Sequence, residues 1–181
     1  MDTQILKLLH ERKATRAIAG RPVEEEKVEA ILEAACLSAS CSNNQPWRFI
    51  LLDGDDPEAL AKGREALSGG NYWAKTAPIL IFGYSKADFD CQIGGGTREY
   101  YLFDLGMAVQ NILLQATELD LVARPMAGFS PKKVREYHLN KPGQTRSGRS
   151  PDRARCGSVG RPATAPQLIE KIRARGLWAL R

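Results

Sequence analysis

The stretch from Trp47 to Leu52 is apolar on both of its alternating faces, with Trp47, Phe49 and Leu51 on one side of an extended chain and Ile50 and Leu52 on the other. Such a strand has to be covered on both sides, since either face left in water would expose large apolar side chains. A second run, APILIFGYS from Ala77 to Ser85, makes the same demand. Both strands therefore belong inside the molecule. What precedes the first is its opposite in character: ASCSNNQP, small and polar, directly in front of a buried strand.

Helical signals surround these strands. Asp2 can cap a first helix in which Ile5, Leu6, Leu8 and Leu9 recur at helical spacing, ending near Arg12 to Arg16. RPVEEEKVEAILEAACLSAS predicts a second: Pro22 suits its entry, Glu24 to Glu26 complement its positive end, and Val28, Ile31, Leu32 and Ala35 share a face. Asp55 or Asp56 with Pro57 opens a short third helix. After the glycine loop at Gly94 to Gly96 comes the longest periodic segment, about residues 99–119, where Tyr101, Leu102, Leu105, Ala108, Val109, Ile112, Leu113 and Ala116 form a wide apolar stripe. A helix buried on several sides suits a domain centre or a dimer seam. LVARPMAGF then runs extended, and Ser130-Pro131 opens another helix through Val134 and Tyr137. With strands and helices interspersed, connections of varied length and no internal repeat, the fold class is α+β.

The 181 residues suit a single domain, 1–181. No apolar run approaches the roughly 18–20 residues that span a bilayer. The first dozen residues carry acids and lack a small-residue cleavage site, so the expected location is cytoplasmic, with no membrane partner. Cys36, Cys41, Cys91 and Cys156 form no CxxC pair and lie far from His10 and His138. Neither a metal site nor a disulfide framework is expected; the cysteines read as reduced packing residues.

Charge is unevenly placed: residues 1–131 carry 13 Lys and Arg against 18 Asp and Glu, whereas residues 132–181 carry 13 against 3. Between Lys141 and Arg161 almost nothing is apolar, and the composition is that of a disordered basic segment. Helical pattern returns from Pro166 to Arg175.

Several chemistries lack their motifs. No GxGxxG follows a strand, no GxxxxGK[ST] occurs, IGGGTREY has no P-loop lysine, and there is no GxSxG elbow. His10 and His138 are poorly placed for catalysis. With no catalytic side chain to name, a cofactor would have to carry the reaction.

Three separated pieces bear on that cofactor. ERKATRAIAGRPV clusters Arg12, Lys13 and Arg16 at a helix end, where they can hold a phosphate or simply compensate the helix dipole. Arg12 and Arg16 share a face if the helix runs one more turn. SASCSNNQPWRF and PMAGF are the second and third pieces. The second reads equally as a helix C-cap and turn with Asn43 and Asn44 in left-handed conformations. In this order and spacing the three resemble the nitroreductase family of flavin enzymes, with its RRSxRxF-like start followed by PV and an acidic helix, its APSSxNxQPWRF element, a long buried helix and PxxGFDP. The likeness runs from about residue 8 to residue 138.

The resemblance implies a central, mostly antiparallel sheet flanked by helices, with the long helix at a homodimer seam and FMN at the interface. It implies that Arg12, Lys13, Ala14 and Arg16 meet the FMN phosphate and its ribityl or pyrimidine side. Ala39, Ser40 and Cys41 would line the ring, Asn43 would bond near its rim, and Gln45-Pro46-Trp47 would fix the loop to the strand. Pro125, Met126, Ala127 and Gly128 would pass the N5 edge, with the Gly128 amide as donor. NADH or NADPH is the implied co-substrate, reducing FMN before a nitroaromatic or quinone acceptor replaces it. Tyr100, Tyr101 and Phe103 are candidates for stacking on that acceptor, or for packing.

The sequence departs from the family pattern in places. Ala14 stands for Ser, Ala39 for Pro, Cys41 for Ser, Ala127 for Glu or Gly, and Asp120 for the Gly after the long helix. QTRSGRSPDRARCGS stands where a hydrophobic strand belongs, before GRPATAPQLIEKIRAR resumes the pattern. A polar, Arg-rich string cannot fill a central position in a sheet. Residues 143–158 therefore read as the product of a shifted reading frame, with a basic, nucleic-acid-binding insertion as the rival. A flavin-binding protein with little turnover is the rival for function.

Overall fold

The computed structural model describes residues 4–91, 99–139 and 179–180. The two buried strands pair with each other. β1 (Arg48–Phe49) runs antiparallel to β3 (Gly83–Tyr84), with Phe49 facing Gly83. The ladder continues through reciprocal amide bonds between Ile50 and Phe82 and between Leu52 and Leu80. β2 (Ile79–Leu80) is bonded to β5 (Ala179–Leu180), which is bonded to β4 (Ala123–Arg124), every pairing antiparallel.

Alternation along the ladder sorts its side chains into two cores. Phe49, Leu51, Ile79 and Ile81 meet Val28, Ile31, Leu32 and Ala35 of α2 (Glu25–Cys36) and Ala108, Ile112, Leu113 and Ala116 of α4 (Tyr101–Glu118). Ile50, Leu52, Leu80 and Phe82 meet Leu60 of α3 (Pro57–Ala66), Trp73, and Val134 of α5 (Pro131–Val134). Each large aliphatic side chain fully withdrawn from water contributes about 1.5–3 kcal/mol, so both faces hold the ladder in place. α3 approaches so closely that a Cβ on Gly63 would lie 2.5 Å from Leu52 Cδ1.

The helix ends follow their sequence signals. Asp56 accepts from the Ala59 amide at 2.9 Å at the start of α3, and Ser130 accepts from the Lys133 amide at 3.3 Å at the start of α5. α4 closes with the Leu121 amide on the Ala116 carbonyl and the Asp120 amide on the Thr117 carbonyl. Asp120 takes the left-handed position there, at φ 57°, where the family pattern has glycine.

Three expectations change. α1 is confined to Lys7–Glu11, and Arg12 beyond it is extended, so Arg12 and Arg16 do not share a helical face. The residue before α1 is Leu6, which supplies no side-chain cap, and Ile5 and Leu6 remain 65% and 70% exposed. A helix so short, without cap or burial, has nothing to extend it. The described cysteines are not reduced packing residues: Cys36 is disulfide-bonded, and Cys41 and Cys91 form a disulfide with their Cα atoms 5.9 Å apart. The segments that lead to the two cysteines are joined beyond the β1–β3 pairing by the Asn44–Phe89 and Ser85–Pro46 hydrogen bonds. Ala179–Leu180, which the sequence did not mark as a strand, stands between β2 and β4. Asp2, the loop at Gly94 to Gly96, the 143–158 segment and the helix expected at 166–175 lie outside the described residues.

Candidate functional site

The loop before β1 holds an unusual backbone. Ser42, Asn43 and Gln45 all have positive φ, at 51°, 51° and 47°, while Asn44 is right-handed at −78°. Left-handed backbone at a residue other than glycine costs about 1–2 kcal/mol, so three such residues within four persist only under strong restraint. The restraints are visible. Ser40 Oγ accepts from the Gln45 amide at 3.0 Å, and Gln45 Nε2 donates to the Cys36 carbonyl at 3.3 Å. Asn44 Nδ2 donates to the Phe89 carbonyl at 2.9 Å, and Ser85 Oγ donates to the Pro46 carbonyl at 2.7 Å. Gln45, Pro46 and Trp47 are buried, which fixes the loop to the strand, and the Arg48 guanidinium lies 4.4 Å from the centre of the Phe89 ring. Ala39, Ser42 and Asn43 are left exposed, and Ser40 and Cys41 are half-buried.

Under this loop lies Asp104, in the first turn of α4 and only 2% exposed. Its Oδ2 accepts from the Cys41 amide at 3.0 Å. Burial pushes the Asp104 carboxyl up from the usual aspartate range; the Cys41 amide opposes this and the nearby Asp90 carboxylate adds to it.

The other predicted residues assemble elsewhere. Arg124 donates to the Ala14 carbonyl and lies over the Trp73 ring at 5.1 Å, joining the 12–16 stretch to β4. Arg12, Lys13 and Arg16 form no ion pair with a described residue. Downstream, Pro125 and Ala127 are exposed, and Met126 packs on the second core. The Gly128 carbonyl accepts from the Ser68 amide at 3.0 Å and from Asn71 Nδ2 at 2.7 Å. A Cβ on Gly128 would lie 2.5 Å from Ser68 Oγ. The Gly128 N–H has no hydrogen-bond acceptor among the described residues. Ser68 and Asn71 were not singled out from the sequence, where they are ordinary turn residues.

The two groups adjoin different parts of the chain. Cys41 is bonded to Asp104 at the start of α4, whereas Arg124 is bonded to Ala14, and Ile18, Met126 and Phe129 pack against the second core. No hydrogen bond or ion pair among the described residues joins them. A cavity of about 340 Å³ beside Val23, Leu51, Asp53 and Arg64 contains none of these residues. Of the aromatic candidates, Tyr100 and Tyr101 are half-buried, while Phe103 is 65% exposed.

A ligand with an anionic end and a hydrogen-bonding rim fits this donor set. Three cations without an ion pair to a described residue suit a phosphate, a backbone N–H without a described acceptor suits a ring acceptor, and a strained loop of small residues lets a flat apolar ring come close.

Comparison with known proteins agrees. The Nitroreductase family model matches residues 9–69 and 55–145. A protein of Archaeoglobus fulgidus named "Putative NADH dehydrogenase/NAD(P)H nitroreductase" is 30% identical over 138 residues, covering 76% of this chain and 75% of that protein. A crystal structure described as an oxidoreductase containing FMN superposes with a TM-score of 0.66 at 32% identity, covering 79% of this chain and 72% of the other. An FMN-dependent nitroreductase from Clostridium difficile gives a TM-score of 0.59 at 27% identity, covering 75% and 78%.

Proposed function

The chain belongs to the nitroreductase family, and on that premise we propose that it is an FMN-dependent oxidoreductase of one domain. It draws electrons from NADH or NADPH and passes them to a nitroaromatic or quinone acceptor that takes the co-substrate's place. The observation that carries the reading is the separation, within one chain, of the ring-type loop bonded to Asp104 from the 14–18 and 124–129 segments, with no described bond joining them. Neither group is a site alone. In a homodimer, residues 39–43 of one copy and residues 12–16 and 124–128 of the other complete one site, two per pair.

Bound FMN supplies hydride acceptance and donation at its N5. Arg12 and Arg16 hold its phosphate through guanidinium contacts, with Lys13 adding a point charge. A cation from this cluster would also offset negative charge that FMN gains when it accepts electrons. The Gly128 N–H donates toward the N5 edge, its orientation set by Ser68 and Asn71 on the carbonyl of the same residue. Ala39 and Ser40 offer small side chains beside the ring, Asn43 an amide at its rim, and the half-buried Cys41 completes the wall.

The test is an absorbance spectrum of the purified full chain, repeated after NADH under argon and again after a nitroaromatic or quinone. Visible flavin bands that bleach with NADH and return with acceptor support the proposal. A colourless protein that takes up no added FMN overturns it, and bands that never bleach reduce it to flavin binding without turnover.

A further inference from the structure

The Cys41–Cys91 disulfide lies in the candidate ring-lining loop, and the role argued above for that loop does not use it. Its surroundings differ from those of a staple that holds two segments together. The loop is fastened to residues 85–89 by the Asn44–Phe89 and Ser85–Pro46 hydrogen bonds and by Arg48 over Phe89. These non-covalent contacts hold the segment that carries Cys41 beside the one that leads to Cys91. Opening the S–S bond therefore leaves both sulfurs apposed and ready to close again. Cys41 is half-buried and within reach of a thiol from solvent, while Cys91 is only 8% exposed.

Each half-cystine also has its own buried carboxylate. The Cys41 amide donates to Asp104 at 3.0 Å and the Cys91 amide to Asp90 at 2.8 Å, with the Tyr100 amide on the second Asp90 oxygen at 2.7 Å. No cation forms an ion pair with either acid among the described residues.

We propose that Cys41 and Cys91 form a reversible dithiol–disulfide centre that takes two electrons from an external small-molecule dithiol. The thiolate of that dithiol attacks Cys41 Sγ, the more accessible sulfur; the S–S bond breaks and Cys91 leaves as a thiolate that takes a proton. The second thiol of the dithiol then closes on its own sulfur, expelling Cys41, which takes the other proton. The dithiol is oxidised to a cyclic disulfide, the protein pair is reduced, and both protons come from the dithiol. The centre stands whether or not flavin binds.

The test equilibrates the full-length protein in mixtures of reduced and oxidised dithiothreitol, traps thiols by alkylation, and quantifies the peptides containing Cys41 and Cys91. The two cysteines are expected to become alkylated together, the reduced-to-oxidised ratio changing a hundred-fold over about 60 mV as a two-electron couple requires. Far-UV circular dichroism should stay native, and oxidised dithiothreitol should restore the bond. Cys91→Ser should fold and show no such step. A pair that opens only when the protein unfolds is a structural staple, and a pair that never closes on oxidation is no couple; either result overturns the proposal. Glutathione distinguishes the donor, since reduction by a monothiol as effective as by dithiothreitol would remove the preference for a dithiol.

Discussion

Asn71 Nδ2 donates to the Gly128 carbonyl at 2.7 Å and so connects the turn after α3 to the segment assigned to the cofactor's reactive edge. The carbonyl and the free N–H belong to the two peptides that flank the Gly128 Cα, so the bond restrains the residue that offers the N–H. Asn71→Ala removes about 1 kcal/mol of hydrogen bonding and lets residues 125–129 turn. FMN affinity should fall roughly five-fold, and the thermal midpoint by about 2–4 °C. Fluorescence titration of the apoprotein decides the matter, and unchanged affinity would remove Asn71 from the site.

Arg12 and Arg16 are assigned to a phosphate, and riboflavin lacks one. In the double variant Arg12→Gln, Arg16→Gln the loss should be roughly ten-fold or more for FMN, reflecting charge-assisted bonds, and near nothing for riboflavin. Equal losses for both ligands would mean that the cations act on the ring or on the fold.

Leu102 and Phe103, 59% and 65% exposed in the first turn of α4, are apolar side chains without cover in one chain. If that helix forms the seam between copies, Leu102→Glu with Phe103→Glu should give a monomer by sedimentation velocity while the helical signal by circular dichroism is retained. A dimer that persists at micromolar concentration would place the seam elsewhere.

The Asp104 carboxyl is pushed up by burial, so the folded chain binds this proton more tightly than the unfolded chain. Its contribution to stability is complete below the usual aspartate range, near pH 4, and is lost as pH rises through the raised value. Asp104→Asn has no such proton. Between about pH 4 and pH 7, urea midpoints should therefore move in favour of the variant relative to the parent; parallel profiles would show that the carboxyl is not perturbed.

Asp120 closes α4 at φ 57°. Glycine adopts that conformation without a Cβ penalty, offset in part by its freer unfolded chain. Asp120→Gly should stabilise by about 0.5 kcal/mol, roughly 1–2 °C in thermal midpoint. A lower midpoint would mean that the aspartate side chain has a role in the helix end.

What was legible in the sequence depended on periodicity. The both-faces-apolar run at 47–52 and the stripe of α4 announced the ladder and its cover, because alternation and helical spacing survive as patterns in one dimension. The same rule misled at α1, where Ile5, Leu6 and Leu9 mimic a buried face yet lie exposed. The Cys41–Cys91 bond left no spacing signal, since it joins two loops 50 residues apart. Ser68 and Asn71 gave none either, as single polar residues in a turn. The three motifs read in line gave no hint that one lies apart from the other two.

That partition has a genetic consequence. If each chain contributes the phosphate-holding half of one centre and the ring-lining half of another, injury at the two halves is not inherited additively. A copy damaged at Arg12 and Arg16, paired with a copy damaged at residues 39–43, yields one centre with both injuries and one with neither. Two alleles that are each inactive alone would then complement in the same cell.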